Sequence, residues 1–135
     1  MIQNAHLAKE IVVTFTNEIG VLANVSDVLS TQGINIEAIS GYALNNEATL
    51  LLLTSNNAKA LAVLQEERYT SAREEEVVVV DMVNKPGTLN KITSKLAIEG
   101  IDIYHHYCSV CPSGCPARVV LATSDNERAF LIFKE

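Results

Sequence analysis

The stretch Asn17-Glu18-Ile19-Gly20-Val21-Leu22, followed by Gln32-Gly33-Ile34-Asn35-Ile36, returns 67 positions later as Asn84-Lys85-Pro86-Gly87-Thr88-Leu89 and Glu99-Gly100-Ile101-Asp102-Ile103. Outward from it, Val12, Val13 and Leu29 fall on Val79, Val80 and Leu96 at the same spacing. Further along, the offset grows to 69, where Thr54-Ser55-Asn56-Asn57 meets Thr123-Ser124-Asp125-Asn126. The second copy has therefore gained two residues, and the gain falls in its cysteine-bearing segment. An internal repeat of this length means that one small unit is built twice.

Each copy reads as the same series of elements. Glu10 to Thr16 and Val77 to Val83 are β-branched and apolar, as buried strands are. Val21, Leu22, Val25, Val28 and Leu29 then recur at intervals of three and four, one face of a helix, and Gly33 supplies its left-handed cap. In the second copy Leu89, Ile92 and Leu96 carry the stripe, Pro86 suits the first helical turn and Gly100 closes it. Ile34 to Leu44 and Glu47 to Thr54 flank Asn45-Asn46, residues that tolerate positive φ, and predict a hairpin. Its counterpart joins Ile101 to Val110 with Ala117 to Thr123. After each hairpin Ser-Asn or Ser-Asp offers an N-cap for a second helix, Ala58 to Glu67 or Glu127 to Phe133. A last strand fits Tyr69 to Glu74 in copy one, and the chain runs without a linker into Val77, as one long strand or a tight turn shared by two domains. Copy two stops where its own last strand is due. An open sheet edge is a hazard that proteins cover, so Met1 to Ala8, the other copy or a second chain is expected to lie there. The expected architecture is α+β, two tandem βαββαβ domains over residues 1–74 and 75–135, the second short of its last strand.

Composition narrows the function classes. Hydrophobic residues make up 48% of the 135 and charged residues 19%, with only 6 Gly and 3 Pro, so disorder and low-complexity structure are excluded. A net charge of −6 argues against nucleic-acid or anionic-membrane binding, both of which need a basic face. The longest apolar runs, Leu50 to Leu53 and Val77 to Val80, are far short of the roughly twenty residues of a membrane span. Met1 to Glu10 has no basic leader with an apolar stretch behind it, so a cytoplasmic protein is expected. Phosphate loops, nucleophile elbows and patterned carboxylate pairs are missing from the sequence, which points away from an enzyme.

The repeated turn has chemistry of its own. Gly20 and Gly87 let the backbone turn sharply and approach a ligand, and the helix behind each points unpaired N–H groups and a positive dipole end at the turn, where a carboxylate is welcome. Asn17 and Asn84 offer both donor and acceptor, and Asn35 adds a second amide. The plain alternative is that Asn17 caps a helix, Gly20 makes a turn and Asn35 steadies a strand entrance.

A duplicated βαββαβ unit whose first strand ends in Asn-x-x-Gly-x-Leu resembles the ACT domain, the small-molecule-sensing module of many amino-acid-metabolism enzymes. The resemblance covers nearly the whole chain and implies a ferredoxin-like fold with an amino-acid effector seated at an interface between domains. It implies binding roles for Asn17, Ile19, Gly20, Val21, Leu22 and Asn35, and for Asn84, Gly87, Thr88, Leu89 and Asp102 in copy two. Two departures stand out. Asp102 replaces the amide and disfavours a carboxylate, and Ile19 takes the place of a proline frequent in the family's turn.

The segment from His105 to Pro116 has no match in copy one. Thiols and imidazoles at close spacing are ligands for borderline metals, and His106, Cys108, Cys111 and Cys115 make a credible zinc set, with His106 and Cys108 on one face of a strand. The alternatives are a redox pair or three plain thiols, the usual state of cysteines in a cytosolic chain. His105, on the other face, reads as a packing or surface residue. The sequence thus predicts a regulatory protein without its own catalytic domain, binding an amino acid or related metabolite, forming a homodimer and acting on a regulated enzyme or regulator. A metal or redox sensor built on residues 105–116 and a structural subunit that binds nothing are the rival readings.

Overall fold

In the computed structural model, which describes all of residues 1–135, the repeated segments take the elements that their periodicity dictates. These are β1 (Ile2–Thr16), α1 (Val21–Thr31), β2 (Ile36–Leu44), β3 (Glu47–Thr54), α2 (Asn57–Glu67), β4 (Arg73–Met82), α3 (Thr88–Ile98), β5 (Ile103–Ser109), β6 (Ala117–Thr123) and α4 (Asn126–Lys134). They divide into two units, Lys9–Glu75 and a second made of Glu76–Glu135 with Met1–Ala8. The class is α+β and each unit is ferredoxin-like.

In the unit Lys9–Glu75 the strand order is β2-β3-β1, all antiparallel, with Val13 opposite Leu50 and Gly41 opposite Leu50 on the other side. The start of β4 lies outside β1. Here the Thr14 amide donates to the Ser71 hydroxyl at 2.9 Å and that hydroxyl donates to the Thr14 carbonyl at 2.5 Å. Val21, Val25 and Leu29 of α1 and Ala60 and Leu64 of α2 pack against Ile11, Val13, Leu50 and Leu52. Each buried Val, Leu or Ile side chain contributes roughly 1.5–3 kcal/mol by leaving water. The cap at Gly33 (φ 72°) forms as expected: the Ile34 amide donates to the Leu29 carbonyl and Gly33 to Ser30.

The other unit repeats the plan with β4-β6-β5, Val80 opposite Val119 and Cys108 opposite Val119. Its core joins Val78, Val80, Ile92, Leu96, Val119, Leu121, Ala129 and Phe133. The cap at Gly100 matches the one at Gly33, with Ile101 donating to Leu96. Pro86 differs from expectation: it sits in the turn before α3, which starts only at Thr88 after Gly87.

The missing edge is supplied by the opening residues. Met1–Ala8, placed in the first domain by sequence order, fold with the second unit, where β1 lies beside β4. The Val83 amide donates to the Met1 carbonyl at 2.8 Å, and Ile2 and Ala5 pack on the core. Of the three covers considered for that edge, the chain's own N-terminal segment is the one used. The expected last strand of copy one and first strand of copy two are the single strand β4.

Candidate functional site

Two of the four helices begin with a side-chain cap. Asn56 accepts from the Lys59 amide at the start of α2, and Asp125 from the Arg128 amide at the start of α4. The helices after the glycine turns do not. Gly20 at φ 90° and Gly87 at φ 89° occupy the N-cap position with no side chain on the first amides. Asn17 therefore does not cap α1. Its backbone is fixed instead, because its amide donates to the Asn46 carbonyl at 2.7 Å across the hairpin turn that Asn45 makes at φ 58°.

The bare end of α1 opens into a cleft of about 410 Å³. One wall is Asn17, Glu18 and residues Gly20 to Ala23, and the other is β2 from Ile39 to Ala43. Phe15, Ala48, Thr49 and Leu50 make the floor. Amides of the first helical turn lack intrahelical acceptors, so this end of the cleft favours an anion. Glu18 at the rim lies 3.6 Å from Arg68, a solvent-exposed pair that a ligand can rearrange at little cost. A smaller hollow of about 160 Å³, lined by Phe15, Glu18, Val21, Arg68 and Tyr69, adjoins it. Tyr69 is buried, edge-on to Phe15 at 5.8 Å, and accepts from Asn24 of α1 at 2.5 Å, which holds the helix against the floor.

Of the residues singled out from sequence, Asn17, Gly20, Val21 and Leu22 meet in this cleft. Ile19 projects fully into solvent at the tip of the turn. Asn35 lies at the far end of β2, about 20 Å along the strand from Gly41, where its amide donates to the Ser55 hydroxyl and its carbonyl accepts from the Ser55 amide. Asp102 makes the same pair of bonds with Ser124. Asn84, Gly87, Thr88, Leu89 and Asp102 all belong to the other unit, where Thr88 is buried and Leu89 half exposed. Sequence reasoning missed Phe15, Glu18, Ser40, Gly41, Tyr42 and Thr49, whose place depends on strand register. The signal was available in part, since the Asn45-Asn46 turn fixes which residues of β2 and β3 face each other.

The cysteine segment departs from the expected metal set. Cys111 and Cys115 are joined in a disulfide, and Cys108 is a free, exposed thiol. Bonded sulfurs are not thiolates, so His106, Cys108, Cys111 and Cys115 do not assemble as four ligands, and no cluster of three or more His, Cys, Asp or Glu gathers anywhere in the chain. The expectation of plain thiols fails at the same two residues. His106 and Cys108 do share a face of β5, opposite Leu121 and Val119.

The unit fold and its glycine-turn cleft define an ACT-like fold. No protein-family model matches the chain, and no curated protein matches it. Solved structures do. A protein from Bacteroides thetaiotaomicron superposes with a TM-score of 0.88 at 26% identity, over 96% of this chain and 88% of that one. The ligand-free regulatory subunit of aspartate kinase from Thermus thermophilus gives 0.70 at 15% identity, over 98% of this chain and 96% of that one. Within the longer aspartate kinase of Clostridium acetobutylicum, 34% of that chain matches 98% of this one with a TM-score of 0.57 at 18% identity. No helix of the chain is long and apolar enough to cross a membrane.

Proposed function

We propose that this chain is a regulatory protein with no catalytic domain of its own, and that it binds an amino acid or a closely related metabolite in the cleft of the Lys9–Glu75 unit. The uncapped start of α1, open to that cleft beside Asn17 and Glu18, is the observation that carries the reading. A ligand carboxylate would accept from the first-turn amides, its ammonium would meet Glu18 and the Asn17 side chain, and its side chain would lie on Phe15, Ile39 and Leu50. The similar Thermus structure, a regulatory subunit of aspartate kinase, supports an enzyme of amino-acid metabolism as the partner. Ligand binding would act by population shift, favouring whichever arrangement of the chain, or of a homodimer of it, the partner recognises.

The test is a thermal melt against the twenty amino acids at millimolar concentration. A ligand at a hundredfold its dissociation constant adds about 2.7 kcal/mol, a rise of several degrees. Asn17→Ala should leave the ligand-free midpoint within about 0.5 kcal/mol of native, because its side chain caps nothing, yet abolish the rise. An unmoved midpoint with all twenty removes the reading.

A second reading, redox sensing by residues 105–116, has the Cys111–Cys115 disulfide behind it. Thiol titration of the unfolded, unreduced chain should count one thiol, and three after reduction. A count of three before reduction would end this reading.

A further inference from the structure

The two units differ at one pair of positions on which the depth of the cleft depends. In the Lys9–Glu75 unit Gly41 of β2 faces Leu50 of β3, and both line the cleft. A Cβ at position 41 would stand 2.7 Å from the Leu50 Cδ2 and 3.5 Å from the Thr49 carbonyl oxygen. The first distance is well inside carbon–carbon contact, so Leu50 would have to turn. Leu50 is packed among Val13, Val21 and Val25 on its core side, which leaves the cleft as the free space to turn into. In the second unit the register is identical and the residues are exchanged as a pair: Cys108 of β5 faces Val119 of β6. Valine lacks the δ carbon that a Cβ would strike, so a larger side chain is accommodated on the edge strand.

We propose that Gly41, paired with Leu50, is the residue that keeps the cleft open, and that Cys108 with Val119 closes the matching place in the second unit. The chain then takes one ligand, in the Lys9–Glu75 unit alone. This rests on the ligand reading above and adds to it a stoichiometry and a specificity-determining residue.

The experiment is isothermal titration of the full chain with whichever of the twenty amino acids raises its melting midpoint. One ligand per chain is expected. Gly41→Ser should weaken binding at least tenfold. The double variant Gly41→Ser/Leu50→Val, which copies the second unit's packing and so removes the clash, should unfold cooperatively near the native midpoint and still bind at least tenfold more weakly. The reverse exchange, Cys108→Gly/Val119→Leu, should leave binding at the first site unchanged. Two ligands per native chain, or native affinity in the double variant, overturns the proposal while the ligand reading stands. If no amino acid binds the native protein, the ligand reading fails and this proposal with it.

Discussion

Gly20 makes the turn that leads into the bare end of α1. At φ 90° it stands in a region that costs other residues roughly 1–2 kcal/mol, yet a Cβ built there would meet nothing within 4 Å. The requirement is conformational alone. Gly20→Ala should therefore lower stability by about 1–2 kcal/mol in urea unfolding, without the larger loss that steric conflict brings. This residue was legible in sequence because a glycine that recurs at the same place in a repeated turn marks a backbone that other residues adopt only under strain. Gly41 was not legible. Nothing in its neighbours along the chain announces it, and its need for a missing side chain comes from Leu50 across the ladder. Asn35 shows the opposite case. As an amide next to a strand it stands out from its local sequence alone, and Ser55 fixes its backbone while leaving its side chain out of those bonds, the arrangement that Asp102 has with Ser124.

At the scale of elements, helices and hairpins were readable and one strand was half hidden. Val21, Val25, Val28 and Leu29 repeat at helical spacing, and α1 buries those four residues. The second half of β1 is an apolar run that declares itself. Its first half mixes Gln3, Asn4, His6 and Lys9, polar residues that dilute the strand pattern, so only its partner strand reveals it. That partner also shapes a titration. Asp81 of β4 has its carboxyl held below the usual carboxylate range, first by the hydrogen bonds from Arg118 and further by Asn4 and His6 of β1. A lowered folded value means that the stabilisation is complete above the unfolded carboxyl's pKa of about 4 and is lost as the pH falls through the folded value. Between pH 6 and 2, the urea midpoint of Asp81→Asn should fall less steeply than that of the native protein. At pH 7 the variant should be less stable by about 1 kcal/mol, a modest figure because Arg118 is partly in water.

At the scale of the whole molecule, the repeat predicted two similar units, and it could not say which segment would complete the second. The two copies are alike in sequence only where both form the same elements, and Met1–Ala8 has no counterpart in copy two, so alignment is silent about it. Removing residues 1–8 should strip the cover from β4 and uncover the core beneath Ile2 and Ala5. The expected cost is about 3 kcal/mol or more, seen as an earlier unfolding transition and increased binding of a hydrophobic dye. An unchanged transition would show that the segment is dispensable.

The placement of Met1 beside Val83 also sets a timetable for biosynthesis. Residues 1–8 are synthesised well before β4, the strand beside which they lie, and must wait for it. At 5–20 residues per second that interval is about 4 to 15 s. Through it a nascent chain carries an unsatisfied strand while most of the Lys9–Glu75 unit is already made. In a polysome, neighbouring chains expose the same strand at the same time, and the arm of one can be claimed by the β4 of another, an exchange between identical molecules that costs few contacts. The arm that completes this protein is thus also the part of it most easily traded between copies.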